Sequence, residues 1–141
     1  MPKMHKSLWI CPNCGRAFTR KNQSHSCELY SIEDHHLNNI PVETARLFRD
    51  FISQVQKFGP ISIESLKNII ALKKQSQFCS IQIQKKALKI IFRLFTQLFS
   101  SRFTASSHQK DGRFYYQLSI RSQEELDAEF LEWMQHAYDE N

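Results

Sequence analysis

The strongest constraint on this chain lies between residues 11 and 27, where Cys11-Pro-Asn-Cys14-Gly is followed by His25-Ser-Cys27. A segment whose apolar content is Leu8, Trp9, Ile10 and Phe18 cannot bury enough surface to order itself alone. Two thiolates from one tight turn, with an imidazole and a thiolate from a second, make the four-donor set of a closed tetrahedral Zn²⁺. Such an ion contributes on the order of 10 kcal/mol to folding, so the spacing predicts a small zinc-ribbon-like module over residues 1–30. The metal ligands are expected to be Cys11, Cys14, His25 and Cys27. Residues two apart point to opposite faces of a strand, so His25 and Cys27 converge only if the chain bends. Asn22, Gln23 and Ser24 suit that bend.

Three other chemistries compete for the same residues. A redox Cys-x-x-Cys would sit beside a thioredoxin-like pattern, which the sequence lacks. A catalytic metal would keep three ligands and a carboxylate base close by, but no acid precedes Glu28. A third arrangement replaces one ligand by His5, His35 or His36.

Charge is segregated along the chain. Residues 1–27 carry five Lys or Arg and no acid, residues 57–113 carry eleven bases against Glu64 and Asp111, and residues 122–141 carry seven acids and no base. A basic face for a polyanion would produce this partition, and so would an acidic helix lying beside a basic sheet. Arg16, Arg20 and Lys21 in the leader, with Lys85, Lys86 and Lys89 at a hairpin where Arg93 clusters with them, are the candidate contacts to an anionic partner. A solvated hairpin edge guarded by lysine is the plainer account of the second group.

No run has the apolar length of a bilayer crossing, since Ala87 to Phe99 is short and carries Lys89 and Arg93. The N-terminus lacks the apolar stretch of a secretion signal, so a cytoplasmic protein is expected, in which clustered Cys and His hold metal rather than form disulfides.

Glu28 to Asn39 is polar and turn-rich and reads as a linker. From Pro41, the residues Phe48, Phe51, Ile52, Val55 and Phe58 recur at helical spacing until Gly59-Pro60 stops them. Alternation then takes over at Ile61 and Ile63, Ile69 to Leu72, Cys79 to Ile83, Leu88 to Leu94 and Phe114 to Ile120, predicting about five antiparallel strands. Gln84-Lys85-Lys86 supplies one turn, and the polar stretch 96–112 reads as irregular. Ser122 and Glu125 have the spacing of a capping box, which predicts a C-terminal helix over about 123–139. Cys79 belongs to an apolar strand and reads as core. The run Gly112-Arg113-Phe114-Tyr115-Tyr116 interleaves a base with aromatics, faintly in the manner of an RNA-stacking strand, although alternating aromatics are normally half core and half surface. His108 and Asp111 lack a nucleophile nearby and read as surface loop. No glycine-rich phosphate loop, nucleophile elbow or paired-carboxylate motif occurs.

The combination Cys11-Pro-Asn-Cys14-Gly-Arg-x-Phe18, Asn22-Gln-x-His25-Ser-Cys27, Glu33-Asp34-His35, Phe58-Gly59-Pro60 and Leu126-Asp127-x-Glu129 with Trp133 and Ala137-Tyr138 resembles an uncharacterised bacterial group, the domain of unknown function 5655 family. The resemblance spans nearly the whole chain. It implies a small α+β domain that in some members follows a zinc-finger-like leader, and it implies that His35 belongs to the domain while His25 and Cys27 complete the metal site. The chain departs from the group in carrying His36-Leu37 where an aromatic is expected, and Tyr115-Tyr116-Gln117 where relatives often have histidines.

The expected architecture is therefore α+β: a zinc-bound leader, then over residues 31–141 an antiparallel sheet flanked by an N-terminal and a C-terminal helix. The expected role is a zinc-binding module for an anionic partner, with nucleic acid first. A protein-interaction or regulatory adaptor with purely structural zinc is the alternative, and an enzyme of unrecognised activity the third.

Overall fold

The computed structural model describes residues 7–141. Lys3, His5 and Lys6 of the leader lie outside the described residues. The fold is α+β, with a small cysteine-rich motif preceding a large antiparallel sheet that carries two helices.

Helix α1 (Val42–Gln56) starts after Pro41, which stands as its N-cap. Of the expected stripe it buries Phe48, Phe51 and Val55, joined by Leu47, while Ile52 is half-buried and Phe58 lies past the helix end. Thr44 Oγ1 donates to the Lys85 carbonyl at 2.7 Å, so α1 is tied to the tip of a sheet hairpin. The chain leaves α1 through Gly59, at φ +146°, where a Cβ would fall 2.4 Å from the Tyr138 hydroxyl. Glycine is required there because two segments touch.

Six strands follow: β3 (Ser62–Ser65), β4 (Ile70–Lys73), β5 (Gln77–Ile83), β6 (Leu88–Leu94), β7 (Ala105–His108) and β8 (Phe114–Ile120). Their order is β3-β4-β5-β6-β8-β7, antiparallel throughout. Strand β7 was not among the expected strands: Ala105, Ser106, Ser107 and His108 are all exposed on the sheet edge, so no buried face imposes alternation on them.

The register divides the sheet into two faces. Leu72, Cys79 and Phe92 lie opposite one another in neighbouring strands, as do Ile70, Ile81, Ile90 and Leu118, and all are buried. Helix α2 (Ala128–Glu140) covers this face over β5 and β6, with α1 beside it. Phe51 of α1 meets Phe130 of α2 at 5.6 Å between ring centroids, and Trp133 of α2 stacks on Phe92 at 6.3 Å. A bulge opposite Leu72 and Lys73 inserts Phe78 into β5, where it packs edge-on against Tyr138. Burial pushes the Cys79 thiol well above its ordinary range, as a core residue requires.

Two expectations need correction. The capping box is not formed: Ser122 makes no side-chain cap bond, and Glu125 Oε1 instead accepts from the Arg121 N–H at 2.7 Å. Residues Gln123–Glu125 form one turn of 3₁₀ helix, and α2 starts later because Asp127 caps it through the Phe130 N–H at 2.9 Å. Arg102 stabilises that choice, reaching the Glu125 carbonyl at 2.9 Å and the Asp127 carboxylate at 3.0 Å. The stretch 28–39 is also no spacer. It holds a π-helical turn, Ile32–His36, capped by Ser31 Oγ, and it docks through the Tyr30 N–H to the Ser65 carbonyl at 2.9 Å.

Candidate metal centre

The leader is built around a short hairpin, β1 (Trp9–Ile10) paired with β2 (Ala17–Phe18). Its tip is the Cys11-to-Gly15 knuckle, closed by the Gly15 N–H on the Cys11 carbonyl and the Cys11 N–H on the Arg16 carbonyl, both 2.9 Å. Gly15 has φ +73°, the left-handed conformation that glycine adopts without penalty. Asn22 has φ +56° and reverses the chain, so that the irregular stretch after it returns His25 and Cys27 to the knuckle. Arg16 Nη1 holds this return in place through the Ser26 carbonyl at 3.0 Å.

Donor atoms of Cys11, Cys14, His25 and Cys27 all lie within 4.8 Å of one another. The edges of the cluster test whether an ion fits. A tetrahedron with zinc–sulfur bonds near 2.3 Å and a zinc–nitrogen bond near 2.0 Å has sulfur–sulfur edges of about 3.8 Å and sulfur–nitrogen edges of about 3.5 Å. Here Cys11 Sγ to Cys27 Sγ is 3.7 Å, Cys14 Sγ to His25 Nε2 is 3.4 Å and Cys27 Sγ to His25 Nε2 is 3.5 Å. The four residues therefore form a cluster capable of coordinating a metal ion.

His25 is prepared for that role. Its Nδ1–H donates to the Gln23 carbonyl at 2.5 Å, which fixes the tautomer and leaves the Nε2 lone pair among the sulfurs. The ring packs on Phe18 at 4.3 Å, so its orientation is set by the hairpin. The thiols are polarised in opposite directions. The Cys14 N–H aimed at its sulfur lowers Cys11 to about 6, whereas hydrogen bonding to Cys11 raises Cys27 to about 11. Neighbouring sulfurs cannot all carry charge unless a cation compensates them.

The other described histidines lie elsewhere. His35 Nε2 and His36 Nε2 donate to the carbonyls of Lys67 and Leu66 at 2.6 and 2.7 Å, tying the π-helical turn to the β3–β4 connection. Burial lowers the His36 pKa and favours its neutral form. His5 lies outside the described residues. His108 stacks on Phe114 at 4.1 Å across the β7–β8 pair.

The hairpin docks on the sheet face opposite the helices. Arg16 Nη2 meets Glu64 Oε1 at 2.8 Å, Lys73 Nζ donates to the Ala17 carbonyl at 2.5 Å, and the Lys73 ammonium lies 4.3 Å from the Phe18 ring centroid. By register, this open face carries Ser80 and Gln82 of β5, Lys89, Ile91 and Arg93 of β6, and Tyr115, Gln117 and Ser119 of β8. No acid occurs among those positions. Two cavities of about 350 and 250 Å³ meet on it at Ile91 and Tyr115, the larger reaching under the leader.

Of the residues expected to face an anionic partner, Arg20, Lys21, Lys85 and Lys86 are exposed and Lys89 is half-buried on the open face, whereas Arg16 is engaged by Glu64. Lys73 was not among those candidates, whereas Arg93 stood with the hairpin bases and Tyr115 in the 112–116 run of base and aromatics. The signal for them was the strand phase: each is one step out of register with the apolar positions of its strand.

The model of the family described as Domain of unknown function (DUF5655) matches residues 33–141, and the chain belongs to that family. No curated protein and no solved structure matches the chain.

Proposed function

We propose that this chain is a binding module in which a structural Zn²⁺, held by Cys11, Cys14, His25 and Cys27, staples a leader of residues 1–30 onto a domain of residues 31–141. Three thiolates and one imidazole fill a tetrahedral ion, which leaves no position for a reacting water and assigns the metal to folding. The partner is a single-stranded nucleic acid lying on the open sheet face. The observation that carries this reading is that face itself: uncovered by helices, free of acids on β5, β6 and β8, and furnished with Lys89, Arg93 and Tyr115 beside a trough. Cations spaced along a strand track phosphates, and an aromatic ring on the neighbouring strand offers a surface for a base. Exposed Lys85 and Lys86 extend the basic track past one end of β6, and Arg20 and Lys21 of the leader are exposed as well.

The test is fluorescence anisotropy of labelled single-stranded DNA and RNA over a salt series. Binding should weaken linearly on a logarithmic salt scale. Undetectable binding, or binding indifferent to salt, removes the reading and leaves the adaptor, in which zinc only shapes a protein-docking surface.

A further inference from the structure

The larger cavity, where the leader overhangs the sheet, has an unbalanced charge. Its charged lining residues are Arg16, Lys73, Arg93 and Glu64, three cations against one carboxylate. Glu64 is already shared: Oε1 takes Arg16 at 2.8 Å and Oε2 lies 3.4 Å from Lys73, with all three side chains at 8–10% exposure. Although its charge reaches Asp111, a carboxylate already paired with Arg113 at 2.7 Å, Arg93 forms no ion pair of its own among the described residues. Its Nε donates to the Gln77 carbonyl and its Nη1 to the Tyr115 hydroxyl at 3.2 Å, and its Nη2 has no hydrogen-bond partner among the described residues. The missing counter-charge cannot come from the rest of the leader, because residues 1–27 contain no Asp or Glu.

We propose that this cavity is a phosphoryl-binding pocket. Partly desolvated cations in excess of their carboxylates are held at a cost unless an anion joins them, and a dianion matches the excess of two. Arg93 offers the planar donor edge that suits phosphate oxygens, Lys73 offers a point charge, and Thr19, Ser76 and Ser80 line the same space. About 350 Å³ exceeds the need of inorganic phosphate and lies within the usual range of small-ligand sites. The remaining volume opens toward Tyr115 and Ile91, where the organic part of a phosphate monoester would lie. The pocket stands on its own charge balance and does not require that the open face carry a strand.

The experiment titrates the full chain, with its metal, against inorganic phosphate, adenosine 5′-monophosphate and adenosine, read by calorimetry and by ¹⁵N chemical shifts. Both phosphates should bind saturably and compete, with shifts at Lys73, Arg93 and Tyr115, while adenosine alone should not bind. Equal affinity for the two identifies free phosphate as sufficient, and tighter binding of the nucleotide identifies a contact to its organic part. Arg93→Met should weaken both phosphates roughly tenfold or more, the loss of a charge-assisted hydrogen bond. Lys57→Met, just past α1 and outside the lining of the cavity, should change nothing. Absence of saturable phosphate binding to the wild-type chain overturns the pocket, independently of how any variant folds. So does unaltered affinity in both Arg93→Met and Lys73→Met. Phosphate binding without strand binding would sink only the strand reading, and strand binding without phosphate binding only the pocket.

Discussion

Arg16 of the leader and Glu64 of strand β3, far apart in sequence, are joined by two hydrogen bonds on one carboxylate oxygen, Nε at 3.0 Å and Nη2 at 2.8 Å. With Lys73 on the other oxygen, Glu64 is the hinge-pin that fixes the metal-site hairpin against the sheet. Removing one member of a nearly buried group leaves charge unpaired, which costs more than an exposed ion pair ever contributes. Glu64→Gln should lower stability by about 3 kcal/mol in urea denaturation. Arg16→Met should cost less, because Glu64 keeps Lys73. Equal, negligible effects would show that the hairpin is not held this way.

Asp127 should dominate the start of α2. Asp127→Ala is expected to cost about 1 kcal/mol, and Ser122→Ala close to nothing, the reverse of what the Ser-x-x-Glu pattern implies. The pH dependence has a definite sign. The Phe130 N–H, followed by Arg102, holds the Asp127 pKa below its ordinary value of 3.8. Its stabilisation is therefore fully present above that ordinary value and is lost as pH falls through the lower folded one. Asp127→Asn should keep part of the cap and flatten this dependence in acid denaturation curves.

Ser65 Oγ is buried without a hydrogen-bond partner among the described residues. A buried hydroxyl left unpaired is unfavourable by roughly 1–3 kcal/mol, so Ser65→Ala should raise the melting temperature rather than lower it. A lowered value would mean that the hydroxyl has a partner.

Lys89 tests the open face. Each phosphate contact contributes about 0.7 to the salt slope of single-strand binding. Lys89→Met should reduce the slope by roughly that amount and weaken all sequences alike, whereas Lys57→Met, which follows α1, should leave it unchanged.

Most of the fold was legible because burial imposes a period. Phe48, Phe51 and Val55 announce a helix, and Leu88, Ile90, Phe92 and Leu94 a half-buried strand, since one face of each meets the core. Where no face is buried, the signal vanishes, and β7 was missed for that reason. The start of α2 was misplaced because Ser122 and Asp127 are both good caps locally, and the choice falls to Arg102 on a distant loop. The metal cluster was legible from spacing alone, as metal geometry restricts ligand types and turn lengths so tightly. The cavity was not, because Lys73, Arg93 and Glu64 come from three strands and meet only through the register.

The central claim is that Cys11, Cys14, His25 and Cys27 close around one ion and that this ion orders the leader. Elemental analysis of the purified chain beside Cys27→Ala and Cys79→Ala tests it most directly. One zinc per chain is expected for the wild type and for Cys79→Ala, whose sulfur is in the core, with zinc lost from Cys27→Ala and the sheet and helices retained. A metal-free wild type with an ordered leader, or undiminished zinc in Cys27→Ala, would contradict it.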